Sequence, residues 1–396
     1  MTSSLFNGLS RTVSHVACAI SGGVDSAVAA LILKSKGYQV TGIFMKNWDS
    51  LDENGECQAD KDAEDAQYIC KHLGISFQQV NFVKEYWHEV FSYLLKEYQA
   101  GFTPNPDILC NKYIKFDHFL QHALYTVGAD ALATGHYARL QEDQTDTTGK
   151  KVKLIKAIDL WKDQTFFLSQ VKQESLQKVV FPVGDLTKSV VRQIALQAGL
   201  HKIVKKKESM GICFIGQRNF KEFIQEYVDP APGNFISIED AEVIGHHNGC
   251  FLYTIGQNAK IPGMDNKWFV VDKDPQTRTI YVAPSTSHPS LFTDSVITEP
   301  IHWINAMPAQ LQQKEPFKCT FKFQHTDPPV DCMLTLNSDD SILISLVNPL
   351  RALTPGQFAV FYYGEQCLGG GRILRCGPSL YTLHKDDYHS GTWSIS

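Results

Sequence analysis

Six consecutive residues, Ser21-Gly22-Gly23-Val24-Asp25-Ser26, place two hydroxyls, a carboxylate and two glycines directly after an apolar run. Glycine lets the backbone approach an anion and take up positive φ. A helix opening at this point would aim its free N–H groups at the same anion. The Ser21 and Ser26 hydroxyls suit phosphate oxygens, and Asp25 suits a Mg2+ ion bridging phosphates. The spacing is neither G-x-x-x-x-G-K nor G-x-G-x-x-G, which excludes a Walker A loop and a dinucleotide fingerprint. Two thiols also stand out by context. Cys110 lies in TPNPDILCNKYIKF, three residues after Asp107, and Cys213 lies in KKKESMGICFIG behind Lys205, Lys206 and Lys207. A thiol near cations or a helix N-terminus has a lowered pKa and becomes a nucleophile. The alternative is that all ten cysteines are inert filler, as Cys18 in a strand and Cys70 on a helix read; spacing does not show that Cys110 and Cys213 meet. No pair forms C-x-x-C, which argues against zinc ribbons and iron–sulfur frameworks.

These groups need a scaffold, and the N-terminal half supplies its pattern. Apolar runs at 15–20, 39–45, 76–83 and 130–134 alternate with helical segments at 24–36, 59–72, 84–98 and 115–127. In the first helix Ala27, Val28, Leu31 and Ile32 form the expected apolar stripe. This order predicts a doubly wound parallel α/β sheet, with ligands at the carboxyl ends of its strands. Phe44–Met45 would then end the second strand where an adenine could rest. Gly135 in ATGHYAR would let a nucleotide approach the backbone, and His136 would face nucleotide or substrate; a purely structural role suits both equally. Residues 141–150 (QEDQTDTTGK) read as a surface loop. After about residue 205 the texture changes to a short helix at 219–228, PAPG, and Gly/Pro-punctuated strands. The segment 290–385 reads as a small antiparallel barrel or sandwich. We therefore expect a catalytic domain at 1–207, a central β-rich domain at 208–286 and a C-terminal β-barrel at 287–396.

The chain has 396 residues, a formal net charge of −5 and 43% hydrophobic residues. Such a composition excludes overall disorder, and no apolar run is long enough for membrane insertion. A mildly acidic chain is no bulk polyanion binder, so any nucleic-acid contact must come from local basic patches such as Lys202, Lys205, Lys206 and Lys207. The first 24 residues hold no acid, several Ser/Thr and Arg11. This resembles a thin organellar transit peptide and gives a mitochondrial expectation, with a cytoplasmic alternative.

SGGVDS between strand and helix matches the loop of the N-type ATP pyrophosphatases, which adenylate an oxygen to make it a leaving group. SGGVDS, FMKNW, TPNPDILCNKYIKF, ATGHYAR, KDQTFFLSQV, KKESMGICFIG and TPGQFAVFY occur in the order seen in tRNA-specific 2-thiouridylases, from about residue 14 to 384. The NWDSLDENGEC insert looks most like the mitochondrial branch. The resemblance implies ATP-dependent 2-thiolation of the wobble uridine (U34) of tRNAs for Lys, Glu and Gln. It implies an ATP site over Ala19, Ile20, Ser21, Gly22, Gly23, Val24, Asp25, Ser26, Met45 and Gly135. Cys213 would carry a persulfide sulfur supplied by a donor protein, a cysteine desulfurase or sulfur-relay protein. Cys110 would release that sulfur and leave a Cys110–Cys213 disulfide, with Asp107 as acid/base. Asn105, Pro106 and Asp107 would touch the target base. His136, Lys162, Asp163, Gln164, Lys322, Phe323 and Gln357 would contact tRNA. The sequence departs from the family at Asn258, where arginine is common, and in the weak Lys322–Phe323 pair. Two other readings compete: an amidotransferase-type ATP pyrophosphatase acting on a small metabolite, and a non-enzymatic ATP-sensing RNA-binding protein. Neither needs the two cysteines.

Overall fold

The computed structural model describes residues 13–49, 57–144, 146, 151–206 and 219–384. Cys213 and Lys207 lie outside the described residues. The N-terminal half contains strands β1 (His15–Ala19), β2 (Gln39–Lys46), β3 (Ser76–Asn81), β4 (Ala131–Ala133), β5 (Arg139–Glu142), β6 (Val152–Ile155) and β7 (Val179–Val180). Its helices are α1 (Val24–Ser35), α2 (Gln58–Leu73), α3 (83–99), α4 (106–126), α5 (Thr165–Leu168), α6 (Lys188–Gln197) and α7 (His201–Lys205). A parallel sheet runs in the order β3-β2-β1-β4-β7. Its central strands are buried on both faces, as the unbroken apolar runs HVACA and VTGIFM require. Edge strand β3 (SFQQVN) is polar instead.

Helix α1 is covered on two sides, by the sheet and by α6. Its buried set is accordingly wider than one stripe: Ala29, Ala30 and Leu33 are fully buried beside Ala27 and Val28, whereas Leu31 and Ile32 are only half-buried. The expected stripe is corrected by this second covering surface. Cys18 and Cys70 are fully buried, and burial raises both thiols, Cys70 to about 12. Both are core filler, as their settings indicate.

The central unit is a four-stranded sheet, β10-β11-β8-β9, built from β8 (Gly233–Ser237), β9 (Val243–His247), β10 (Phe269–Asp274) and β11 (Thr279–Ala283). Phe235, Val270, Ile280 and Val282 form its core. Helix α8 (Phe220–Gln225) precedes it. The C-terminal unit has β12 (Phe292–Thr298), β13 (His302–Trp303), β14 (Phe317–Lys322), β15 (Val330–Leu336), β16 (Ile342–Arg351), β17 (Phe358–Tyr363) and β18 (Gln366–Cys376). The order β12-β16-β15-β14-β17-β18 closes through β12–β18 pairing into an antiparallel barrel. Closure removes exposed strand edges.

The expected surface loop at 141–150 is partly strand. Residues 141 and 142 belong to β5, which pairs with β6, and β6 pairs with β18 (Gln366↔Ile155, Cys367↔Leu154). The N-terminal half thus lends a hairpin to the barrel sheet. No helix among the described residues is long and apolar enough to cross a membrane.

Candidate active site

The strand order puts β1 beside β4, where successive connections diverge to opposite sides, the usual ligand crevice of such sheets. The glycine loop leaves β1 here. Gly22 has φ +76°, and a Cβ there would lie 2.7 Å from the Asp62 carbonyl oxygen of α2, so only glycine fits. Ser26 folds the loop back on itself: its Oγ accepts from Ser21 N–H at 3.2 Å and donates to the Gly23 carbonyl at 3.0 Å. Gly23 is the N-cap of the 12-residue α1 and offers no side-chain cap, leaving the first-turn N–H groups to an anion. Met45 is half-buried at the end of neighbouring β2.

One expectation at this loop, the Mg2+ role of Asp25, needs correction, and Gly135 gains a structural reason. Asp25 is engaged by other residues: Lys188 Nζ lies 2.8 Å from both carboxylate oxygens, and the Tyr137 hydroxyl donates to Oδ1 at 2.7 Å. An ammonium already on both oxygens disfavours a divalent cation there, so Asp25 does not fit the Mg2+ role. No group of three His, Cys, Asp or Glu among the described residues could hold a metal ion. Gly135, for its part, makes room for protein. A Cβ would lie 2.7 Å from Ser26 N and 2.8 Å from Asp25 C, so its missing side chain admits the first turn of α1. His136 next to it bonds Thr134 Oγ1 through Nδ1 at 2.7 Å and packs on Phe116 and Phe181. Burial, assisted by Lys115, lowers its pKa well below the usual histidine range, so it is neutral.

The second part of the site is α4. Asn105 caps it, its Oδ1 accepting from Ile108 N–H at 3.2 Å, and Pro106 takes the first helical position. Asp107 and Cys110, three residues apart, therefore share one helix face. The helix winds as a π-helix from Cys110 to His118, a rare form frequent at functional sites. Cys110 is 2% exposed, and Asn47 Nδ2, just past β2, lies 4.0 Å from its sulfur. Burial raises the Asp107 carboxyl above its ordinary range, opposed by the charges of Lys115 and His325. The loop before α4 is held by the barrel: Gln357 Nε2 donates to the Thr103 carbonyl at 2.9 Å, and Asn105 Nδ2 donates to Gln357 Oε1 at 3.4 Å. Gln357 thus supports the loop.

The residues expected on tRNA divide by exposure. Asp163 is buried, accepting from Ala157 N–H at 2.9 Å and Thr165 Oγ1 at 2.7 Å. Gln164 accepts from Tyr137 N–H at 3.0 Å. Lys322 is buried, donating to the His325 carbonyl at 2.8 Å, and Phe323 is buried and stacked on Phe321 in the barrel core. Lys206 bonds Asp62 and Asp65 at 2.7 Å, and Lys202 bonds Asp65. For Asp163, Lys322 and Phe323 the structure corrects the expected surface contact to an internal one, whereas Lys206 stays partly exposed and ion-paired. Lys162 is half-buried and Lys205 exposed.

Sequence reasoning missed Lys188, Tyr137, Asn47, Asn111 and His325. His325, beyond β14, stacks on Phe167 of α5 with centroids 4.7 Å apart, and its Nε2–H donates to the Asp163 carbonyl at 2.7 Å. The Phe167 carbonyl accepts from Asn111 Nδ2 at 3.1 Å, tying this stack to the residue after Cys110. The signal for Asn47 was present in FMKNW, of which only Phe44 and Met45 were given a role. A single histidine or lysine without spacing carries no such signal.

Three family profiles match the chain. The one described as tRNA methyl transferase HUP domain matches residues 14–217, the tRNA methyl transferase PRC-barrel domain 221–284, and the aminomethyltransferase beta-barrel domain 293–373. The Gallus gallus protein named mitochondrial tRNA-specific 2-thiouridylase 1 is 56% identical, over 94% of each chain. Its Homo sapiens counterpart is 52% identical over 96% of this chain and 95% of its own. The Bacillus licheniformis protein named tRNA-specific 2-thiouridylase MnmA is 47% identical over 91% of this chain and 94% of its own. With the glycine loop on β1 and Asp107 and Cys110 on one face of α4, identity of this extent places the chain in the tRNA-specific 2-thiouridylase family.

Proposed function

We propose that this chain is a mitochondrial tRNA-uridine 2-sulfurtransferase, which uses ATP to replace the C2 oxygen of the wobble uridine, U34, with sulfur. The observation that carries this reading is the meeting of two strand ends with one helix: the glycine loop follows β1, Asn47 follows its neighbour β2, and Asn47 touches Cys110 beside Asp107. A phosphate-type loop and the contact to a thiol thus follow the ends of two adjacent strands. The family profiles carry methyl-transfer names, but a nucleophilic thiol beside a phosphate-type loop suits activation and sulfur delivery.

In the first step O2 attacks the α-phosphorus of ATP, the bond to pyrophosphate breaks, and the N3 proton leaves to a base. The α1 N-terminus and Ser21 stabilise the phosphate charge. A carboxyl whose pKa burial has raised, as at Asp107, suits proton transfer nearer neutral pH. Asn105 and Pro106 at the same helix start would border the base. Sulfur then reaches C2 from a persulfide on Cys213, either directly, as a C2–S–S–Cys213 adduct whose S–S bond the Cys110 thiolate cleaves by attack on the Cys213 sulfur, or as hydrosulfide freed when the Cys110 thiolate attacks that inner sulfur first. AMP leaves, and both routes end with a Cys110–Cys213 disulfide. Two electrons from an external thiol reset it. A sulfur-donor protein must reload Cys213. Any magnesium would arrive on the phosphate oxygens of ATP, since Lys188 occupies Asp25. Lys162, Lys202 and Lys205 are candidates for tRNA phosphate contact, together with Lys207 outside the described residues, and tRNAs for Lys, Glu and Gln are the proposed substrates.

The test is reaction of the full chain with ATP, a persulfide donor and unmodified tRNA transcript, followed by mass spectrometry of the nucleosides. We expect 2-thiouridine at position 34 with AMP and pyrophosphate. Cys110→Ser and Cys213→Ser should each abolish 2-thiouridine while AMP formation survives at least in part. Normal thiolation by Cys110→Ser would refute the assigned chemistry.

A further inference from the structure

Asn47 carries an amide whose two ends are unequally served. Its Nδ2 faces the Cys110 sulfur at 4.0 Å, while its Oδ1 is buried and has no hydrogen-bond partner among the described residues. Neighbours fix the residue firmly. Lys46 on one side accepts from Phe82 N–H through its carbonyl at 2.8 Å, and its ammonium pairs with Asp49 and Asp60. Trp48 on the other side stacks on Trp87 at 5.6 Å and meets Phe91 edge-on at 4.8 Å. A buried acceptor left unpaired is costly and returns nothing to the fold. Asn111, the residue after Cys110, shows the same asymmetry: it is 2% exposed, its Nδ2 donates to the Phe167 carbonyl, and its Oδ1 has no partner among the described residues. Of these two amides, Asn47 is the one that faces the Cys110 thiol.

We propose that Asn47 is a positioning residue that aligns the sulfur chemistry with the target base: its N–H supports the Cys110 thiolate, and its oxygen accepts the N3–H of uracil. This rests on the function proposed above. The assignment of the two ends follows from chemistry, since a thiolate only accepts and a carbonyl oxygen only accepts. In uracil N3–H adjoins C2, the carbon that exchanges oxygen for sulfur. Holding that N–H on an acceptor pushes electron density toward O2, the atom that must attack ATP. Cytosine presents a lone pair at N3 and would set it against the Asn47 oxygen. The contact to sulfur is long without substrate and would shorten once the thiol ionises.

The experiment has two arms on the full-length protein. In the first, alkylation of Cys110 by iodoacetamide is followed against pH by peptide mass spectrometry, without RNA, in wild type, Asn47→Leu and Asn47→Asp. We expect the midpoint to rise by about one pH unit in Asn47→Leu, a roughly tenfold rate loss near neutral pH, and further in Asn47→Asp, whose carboxylate opposes the thiolate. Asn47→Asp, nearly isosteric, carries the arm alone should Asn47→Leu not fold. Unchanged midpoints overturn the thiolate role whatever the function. In the second arm, binding of anticodon stem-loops with U34, C34 or N3-methyluridine at 34 is compared. Wild type should prefer U34 by about tenfold or more, the expected value of one buried hydrogen bond with its clash avoided, and Asn47→Leu should lose the preference. Retained preference in the variant overturns the base-reading role. No preference in wild type overturns the target-base reading itself.

Discussion

Lys188 is the most informative residue to remove. Its ammonium sits 2.8 Å from both oxygens of Asp25, with side chains 13% and 31% exposed, directly at the mouth of the glycine loop. Lys188→Met keeps the length of the stem and deletes the charge. A fully buried pair broken on one side costs about 3–5 kcal/mol, and an exposed one about 0–1 kcal/mol. With Asp25 about a third exposed, solvent recovers part of the loss, and about 2 kcal/mol is a fair middle value. That should lower Tm by about 4–8 °C, at about 2–4 °C per kcal/mol for a domain of this size. The functional consequence is separate. An uncompensated Asp25 carboxylate would face an incoming triphosphate, and ATP affinity should fall about tenfold or more, or about 1.4 kcal/mol. Calorimetric titration with a non-hydrolysable ATP analogue measures this directly. Adding Asp25→Asn to Lys188→Met should restore part of the affinity, and the double-mutant cycle isolates the pair. Equal ATP affinity in wild type and Lys188→Met would refute the reasoning, since it would mean that Lys188 does not neutralise Asp25 toward phosphate.

Other expected outcomes follow from the same geometry. Gly356 has φ +93°, and a Cβ there would lie 2.7 Å from Thr103 N, so Gly356→Ala should displace the loop before α4, cost about 1–3 kcal/mol by chemical denaturation and slow thiolation. Burial raises the Asp107 pKa, so the folded state binds that proton more tightly than the unfolded chain. Stability is then lost as pH rises from the unfolded value of about 3.9 through the raised native one. Asp107→Asn should therefore raise Tm at neutral pH while abolishing thiolation; a Tm decrease would contradict the burial account. Arg372 of β18 is buried and pairs with Glu97 of α3 and, at 2.8 Å, with Glu299. Arg372→Met should cost about 3 kcal/mol in urea denaturation, because two carboxylates lose their cation.

Where the sequence was legible, backbone chemistry made it so. SGGVDS dictates a turn that only glycine can make, and the strand runs flanking it have few ways to pack. Residue type and order sufficed for the parallel sheet, for the closed barrel and for the Asn105-Pro106 helix start. What they do not encode is the direction of a side chain. Lys322 and Phe323 look like an RNA-facing pair, yet Phe321 and Phe323 follow the inward alternation of a strand and draw Lys322 under His325. Lys206 looks solvated until Asp62 and Asp65 of a distant helix are placed beside it. Leu31 and Ile32 look like the core face of α1 because a one-sided stripe is assumed, whereas small alanines let α6 approach from a second side. Lys188 and His325 act through partners remote in the chain, and no local pattern announces them, whereas Asn47 sits in a motif, FMKNW, that names the segment but not its contact with Cys110.

The ladder between β6 and β18 has a consequence for synthesis. A ribosome releases β6 long before β18, so the hairpin that leaves the first half of the molecule must wait with an open edge while the rest is made. The loop before α4 waits too, because Gln357 and Gly356, which grip it, emerge just ahead of β17. A nascent chain therefore has no supported sulfur-transfer site until its closing strand arrives, and a premature stop even shortly before β18 would leave both an inert enzyme and a sticky one.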